Sequence, residues 1–250
     1  MEKRVTLVIL PGLDGTEIFF RPFLAALPAW VQPLMVSYPV TGPNGYEDLL
    51  KVVRGAVAGL SEFFVLGSSF SGPLAVMLAA EEPVRVRGVI LSATFLRMPR
   101  KELLKYKPIA VWPVIWTVRA MRRAPVLLRP RDDPYRRAKA ETWRRVSARC
   151  LAARVRALMT VDAREIWQKC AQPALNMTYD VDGTVPHVNA EEIQHLRPET
   201  ERIMISGGHL SMSQHPAKCA EAASGFIRRH AGGNGSALNG AASAALPRES

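Results

Sequence analysis

Three stretches of this 250-residue chain hold side chains that could act together in nucleophilic chemistry. In Gly67-Ser68-Ser69-Phe70-Ser71-Gly72, small residues crowd around a central serine. A carboxylate pair follows in Asp180-Val181-Asp182-Gly183-Thr184-Val185-Pro186, and a histidine in Ser206-Gly207-Gly208-His209-Leu210. A serine hydroxyl at its ordinary pKa is a weak nucleophile. It needs a base beside it, and the base needs an acid to hold its tautomer. Ser69 is the candidate nucleophile, His209 the base and Asp182 the orienting acid, with Asp180 as the alternative acid. Together they would attack a carbonyl carbon, form an acyl-enzyme and release it to water.

Each piece alone has a plainer explanation. Small residues suit any strand–turn–helix, aspartates form turns, and a histidine on a glycine-rich loop is most often a surface group. The order Ser, Asp, His, with each residue just past an apolar run, makes the combination informative. Ser68 and Ser71 compete with Ser69, but only Ser69 has small residues two before and two after it, as a sharp turn requires. A tetrahedral intermediate also needs fixed donors for its oxyanion. Leu10-Pro11-Gly12-Leu13-Asp14-Gly15-Thr16 can supply the Leu13 amide, and the serine turn can supply the Phe70 amide. G-x-G-x-x-G is absent from that loop, so dinucleotide binding is not expected. His187, His195, His215 and His230 show no partners in the sequence. Cys150, Cys170 and Cys219 form no C-x-x-C or His/Cys cluster, which argues against a disulfide framework or a structural zinc. The proposed chemistry calls for no metal and no organic cofactor.

The elements that must position these groups are legible as apolar runs bounded by turn residues. Val5–Leu10, Leu34–Tyr38, Phe63–Gly67, Gly88–Ala93, Ala174–Tyr179 and Arg202–Ser206 are expected to be strands. Continuous runs such as Thr6-Leu7-Val8-Ile9-Leu10 suit strands covered on both faces, hence a parallel sheet. Tyr46–Leu60, Gly72–Glu81 and Ala217–His230 have helical spacing. Alternating strands and helices predict a doubly wound α/β core over residues 1–95 and 168–230. From 96 to 167 no strand is expected, and Pro108, Pro113, Pro125, Pro130 and Pro134 would divide the segment into short helices. It is expected to be a helical lid, with Trp112 and Trp116 as candidate substrate-binding residues and Val111, Ile115 and Trp143 beside them. Residues 231–250 lack periodicity and are expected to be a disordered tail.

The net charge of +11 is unevenly spread: Arg97 to Glu165 holds 19 basic against 6 acidic residues. Such a segment attracts anionic substrates, acidic proteins or lipid head groups, unless it is simply a solvated surface. No nucleic-acid motif accompanies it, so no nucleic-acid partner is expected. Ile109–Val118 is too short to span a bilayer. Val5–Leu10 runs straight into Pro11-Gly12, which suits a first strand and not a signal peptide. A cytoplasmic location is the expectation.

The four pieces together resemble the α/β-hydrolase superfamily, over residues 4 to 229. More narrowly, L-P-G-L-D-G-T with G-S-S-F-S-G-P-L-A is similar to a group of small bacterial serine esterases. Two positions depart from the pattern: Pro11-Gly12 replaces the usual His-Gly of the oxyanion loop, and Ser71 stands where G-x-S-x-G has its second glycine. The resemblance implies a mostly parallel sheet of about six strands, without the first antiparallel hairpin, and an inserted helical lid. It implies hydrolysis of short- to medium-chain acyl esters. The rivals are an esterase for carrier-bound acyl esters, such as a pimeloyl-ACP methyl ester esterase whose basic lid docks an acidic carrier, and haloperoxidase-like or lyase chemistry on the same triad. A non-catalytic acyl-binding protein is the rival of another class. Serine at the turn argues against haloalkane dehalogenases, which use aspartate there.

Overall fold

The computed structural model describes residues 4–100, 112–121 and 123–232, without the side chains of Trp112, Arg119 and Ala124. Val111 and residues 233–250 of the expected tail lie outside these, while Ala231, expected in the tail, ends the last helix.

The apolar runs form six strands: β1 (Val5–Leu10), β2 (Val31–Met35), β3 (Phe63–Ser68), β4 (Val86–Ser92), β5 (Ala174–Tyr179) and β6 (Glu201–Ile205). All pair in parallel, in the order β2-β1-β3-β4-β5-β6. Every residue of β5 is buried, as a strand covered on both faces must be. Helices α1 (Arg21–Ala26), α2 (Tyr46–Val57) and α3 (Gly72–Glu81) connect the first four strands. Between β4 and β5 come α4 (Trp112–Met121), α5 (Arg123–Leu127), α6 (Pro134–Arg145), α7 (Ala148–Leu158) and α8 (Arg164–Lys169). After β5 follow α9 (His187–Leu196), α10 (Ser211–Gln214) and α11 (Pro216–Ala231). The fold is that of the α/β hydrolases, and no strand precedes β1 among the described residues.

Alternation along β1 divides the core between the two faces. Val8 and Leu10 pack with Leu49 and Val53 of α2 and Trp167 of α8. Leu7 and Ile9 pack on the other face with Phe23 of α1 and Phe226 of α11. Burying a phenylalanine such as Phe226 from water is worth about 1.5–3 kcal/mol. Helix α2 shows why an amphipathic stretch chooses its side: Leu49, Leu50, Val53 and Val57 are buried, and Asp48 at the third helical position accepts the Gly45 amide at 3.1 Å.

One expected strand is displaced. The second lies at Val31–Met35, not Leu34–Tyr38, and it includes Pro33. Proline cannot donate to a ladder, so its presence argues against a central strand. β2 is an edge strand, with β1 its one neighbour in the sheet, and there the missing N–H costs nothing.

The chain runs outward in one direction from β1 to β2, then in the other from β3 to β6. The carboxyl ends of β1 and β3 therefore flank the point where the order reverses, the usual place for a ligand crevice in such sheets.

Candidate active site

Four loops meet at the carboxyl edge, each following a different strand. The loop after β3 carries Ser69 at φ +51°, in the left-handed region that costs a non-glycine residue about 1 kcal/mol or more. The chain leaves β3, makes a single 3₁₀ turn over Ser69–Ser71 and enters α3. Close packing permits this. A Cβ on Gly72 would collide with the Thr94 hydroxyl, so only glycine lets the turn approach the end of β4. Thr94 uses that approach to donate its hydroxyl to the Ser69 carbonyl.

His209 reaches back from the loop after β6. Its Nε2 lies 3.0 Å from Ser69 Oγ, and its Nδ1 lies 2.8 Å from Asp182 Oδ2. The Asp182 side chain is nearly buried, at 4% exposure, against 20% for His209. Burial pushes the Asp182 pKa up, but the hydrogen bond and charge of His209 and the amides of Val185 and Thr184 outweigh it. The carboxyl is held below its ordinary range. The two amides donate to Oδ1 at 3.0 and 2.8 Å. An ionised Asp182 must accept, so Nδ1 carries a proton, and in the neutral imidazole Nε2 then presents its lone pair to Ser69. That tautomer can take the serine proton.

The structure brings Ser69, His209 and Asp182 together. Asp180 is elsewhere: it is exposed and accepts the Gly207 amide at 2.8 Å, tying down the start of the histidine loop.

Phe70 follows the serine in the turn, and Leu13 lies on the loop after β1, next to Gly12. The loop after β1 closes a turn through the Gly15 amide on the Gly12 carbonyl at 2.9 Å, which leaves the Leu13 amide out of the turn's own hydrogen bond. Gly12 runs close to Ser69, since a Cβ there would sit 3.9 Å from that of the serine. The Phe70 ring is buried, stacked on Tyr46 at 4.7 Å, and its carbonyl accepts the Tyr46 hydroxyl at 2.7 Å.

The two departures from the family pattern are bonded to each other. The Ser71 hydroxyl donates to the Pro11 carbonyl, and Tyr38 Oη lies 2.5 Å from Ser71 Oγ. With the serine proton committed to Pro11, Tyr38 is the donor. Glycine at 71 could not make this link between the turn and the oxyanion loop.

Trp116 is 59% exposed on α4 and does not line the small cleft beside Ala93, Thr94 and Asp182; the Trp112 side chain is outside the described residues. One cleft, about 560 Å³, lies between Val40–Gly42 and the start of α7. Sequence reasoning passed over Tyr38, Thr94 and Arg154. Arg154 was detectable: Cys150, Arg154, Ala157, Leu158 and Val161 recur at helical spacing, and an arginine on an apolar stripe is a signal in itself. No group of three His, Cys, Asp or Glu suited to a metal ion occurs among the described residues.

A parallel sheet whose third strand breaks sharply into a helix at a serine, beneath loops from three other strands, defines a hydrolase of the α/β type. The chain belongs to the Alpha/beta hydrolase family, which it matches over residues 7–222. No curated protein matches it. Among solved structures it is similar to a hydrolase from Pseudomonas aeruginosa PA01, with 17% identity, a TM-score of 0.76 and 90% of each chain covered. It is similar to a carboxylesterase of the ammonia-oxidizing thaumarchaeon Nitrososphaera gargenis, with 17% identity, a TM-score of 0.77 and 92% of each chain covered. MenH from S. aureus superposes with 14% identity and a TM-score of 0.77, over 92% of this chain and 96% of that one.

Proposed function

We propose that the protein is a serine esterase that cleaves carboxylic esters of short- to medium-chain acyl groups through an acyl-enzyme. The observation that carries this is the hydrogen-bonded line from Ser69 Oγ through His209 to Asp182, at 3.0 and 2.8 Å. His209 takes the Ser69 proton as Oγ attacks the carbonyl carbon, and Asp182 stabilises the imidazolium that results. The amides of Leu13 and Phe70 hold the oxyanion. Collapse of the tetrahedral intermediate breaks the bond to the alkoxy oxygen, and His209 returns the proton to the departing alcohol. Water, deprotonated by the same histidine, then releases the acid. Carboxylesterase and esterase structures among those similar in fold support the reading.

Residues 96–167 act in this reading as a lid. Trp116 would meet the acyl chain when substrate is bound, and the basic surface would favour an anionic substrate or an acidic acyl carrier.

A chain-length series of p-nitrophenyl esters tests the proposal. Turnover should fall with long acyl chains and vanish in Ser69→Ala and in His209→Ala. The double variant should be little worse than either, because the pair acts as one unit. Turnover surviving Ser69→Ala at the wild-type level refutes it.

A further inference from the structure

A buried arginine sits beneath the oxyanion loop, and it comes from the helical segment inserted between β4 and β5. Arg154 of α7 has no solvent exposure. Its guanidinium donates from all three nitrogens: Nη1 to the Leu13 carbonyl at 3.0 Å, Nη2 to the Pro39 carbonyl at 2.9 Å and Nε to Asn44 Oδ1 at 2.9 Å. It also lies over the Tyr38 ring, 5.5 Å from the centroid. An arginine stays charged in proteins, and a buried charge is costly unless every donor is matched. Here the rigid fork is matched on three sides by groups that hold no formal charge, so removing it would leave three acceptors on three different loop positions without their donor.

The backbone is shaped to receive it. Gly15 lies at φ +70°, and a Cβ there would stand 2.5 Å from Arg154 Nη1 and 2.8 Å from Tyr38 Cβ. Gly15 in turn accepts the Tyr38 amide at 2.9 Å. The loop from Pro11 to Gly15 is thus gripped at three carbonyls: Ser71 holds Pro11 from the nucleophile turn, Arg154 holds Leu13 from α7, and the Tyr38 amide holds Gly15. Between the first two lies the Leu13 amide. With the Leu13 carbonyl fixed and the Gly12–Gly15 turn closed, the amide has little freedom left to turn away from Ser69.

We infer that Arg154 is a positioning residue: it sets the oxyanion donor of Leu13 and so makes the inserted segment part of the catalytic machinery. This rests on the esterase reading given above, since it assigns Leu13 the oxyanion role. A donor misplaced by about 1 Å lowers the chemical step by about 10²-fold. It leaves substrate binding nearly untouched, because the ground-state carbonyl does not depend on that donor in the way the oxyanion does.

The test compares Arg154→Ala, Arg154→Lys and Arg154→Met with wild type and with Arg156→Ala, on the exposed side of the same helix. Three quantities are measured: kcat and KM on p-nitrophenyl butyrate per active site titrated, the rate at which a fluorophosphonate labels Ser69, and the thermal midpoint. We expect kcat and the labelling rate to fall about 10²-fold in Arg154→Ala, with KM nearly unchanged. Lysine should recover only a part, having one ammonium where three fixed donors are needed. Millimolar guanidinium ion should restore kcat in Arg154→Ala and do nothing for wild type or Arg156→Ala. Should alanine prevent folding, the lysine and methionine variants carry the same comparison. Full kcat per titrated site in a folded Arg154 variant overturns the inference, as does a loss that appears only as fewer titrated sites. Wild-type protein that labels at Ser69 yet cleaves no ester overturns the esterase reading alone, and the labelling rates of the variants still decide the role of Arg154.

Discussion

At the scale of single residues, the two aspartates after β5 divide labour that their sequence spacing left open. Asp182 takes the His209 Nδ1 proton at 2.8 Å, while Asp180 takes the Gly207 amide at the same distance. An asparagine at 182 would keep the shape but offer no charge to the imidazolium and would favour the wrong tautomer. Asp182→Asn should therefore lower kcat by on the order of 10⁴-fold. Asparagine at 180 would still present an oxygen to Gly207, so Asp180→Asn should keep most activity. Steady-state rates of the two variants check this, and equal losses would count against the division. Ser69, Asp182 and His209 were legible because each sits in a short motif fixed by its own strand end. The role of Arg154 was not: the apolar stripe marks it as facing inward, but its acceptors at Leu13, Pro39 and Asn44 are 110 or more residues away in the sequence.

Elements show the same contrast between local and distant causes. Helices α2 and α3 stand where their apolar spacing and small N-terminal residues put them, and β5 is where Ala174, Leu175, Met177 and Tyr179 predict. The second strand starts earlier than its apolar run suggests because Pro33 breaks a ladder only inside a sheet, and β2 lies at the edge. The ion pairs that tie α6 to Glu17 and Arg21, beside the Tyr135–Phe19 ring contact, were invisible in the sequence. Arg145 and Arg21 both reach Glu17, at 2.6 and 2.8 Å, and Arg21 also pairs with Glu141 at 2.7 Å. The Arg145 hydrogen bond, more than any other contact, lowers the Glu17 pKa from 4.5 to about 2. A carboxyl whose folded pKa is depressed adds stability above its unfolded value and loses it as pH falls through the folded one. Wild type should thus melt higher than Glu17→Gln above pH 4.5, and the gap should close as pH falls toward about 2. Exposed pairs are worth about 0.2–1 kcal/mol each, so the gap is small but measurable by thermal unfolding across that window. A gap independent of pH would show that the glutamate acts by packing.

Across the whole molecule, charge is concentrated where the sheet is not. The 19 basic against 6 acidic residues fall between Arg97 and Glu165, in the segment that joins β4 to β5. No helix among the described residues is long and apolar enough to cross a membrane. If the basic surface recruits an anionic acyl donor, kcat/KM for that donor should fall as salt rises, since exposed charges are screened beyond about 8–10 Å at physiological ionic strength. A neutral p-nitrophenyl ester should be indifferent, and Arg123→Gln with Arg136→Gln and Arg137→Gln should copy the effect of salt. Equal responses from both substrates would leave the charge as mere solvation.

The strand order carries a consequence for how the protein comes into being. β3 docks on the free edge of β1, and β4, β5 and β6 then add one after another beside the strand before. No strand has to be threaded between two already paired, so the sheet can grow from the amino end as the chain leaves the ribosome. Nucleophile and base lie 140 residues apart, and the base arrives on the loop behind the final strand. A nascent chain can thus hold a finished serine turn and still be inert. The line from Ser69 to Asp182 can close only once the loop behind β6 has been made.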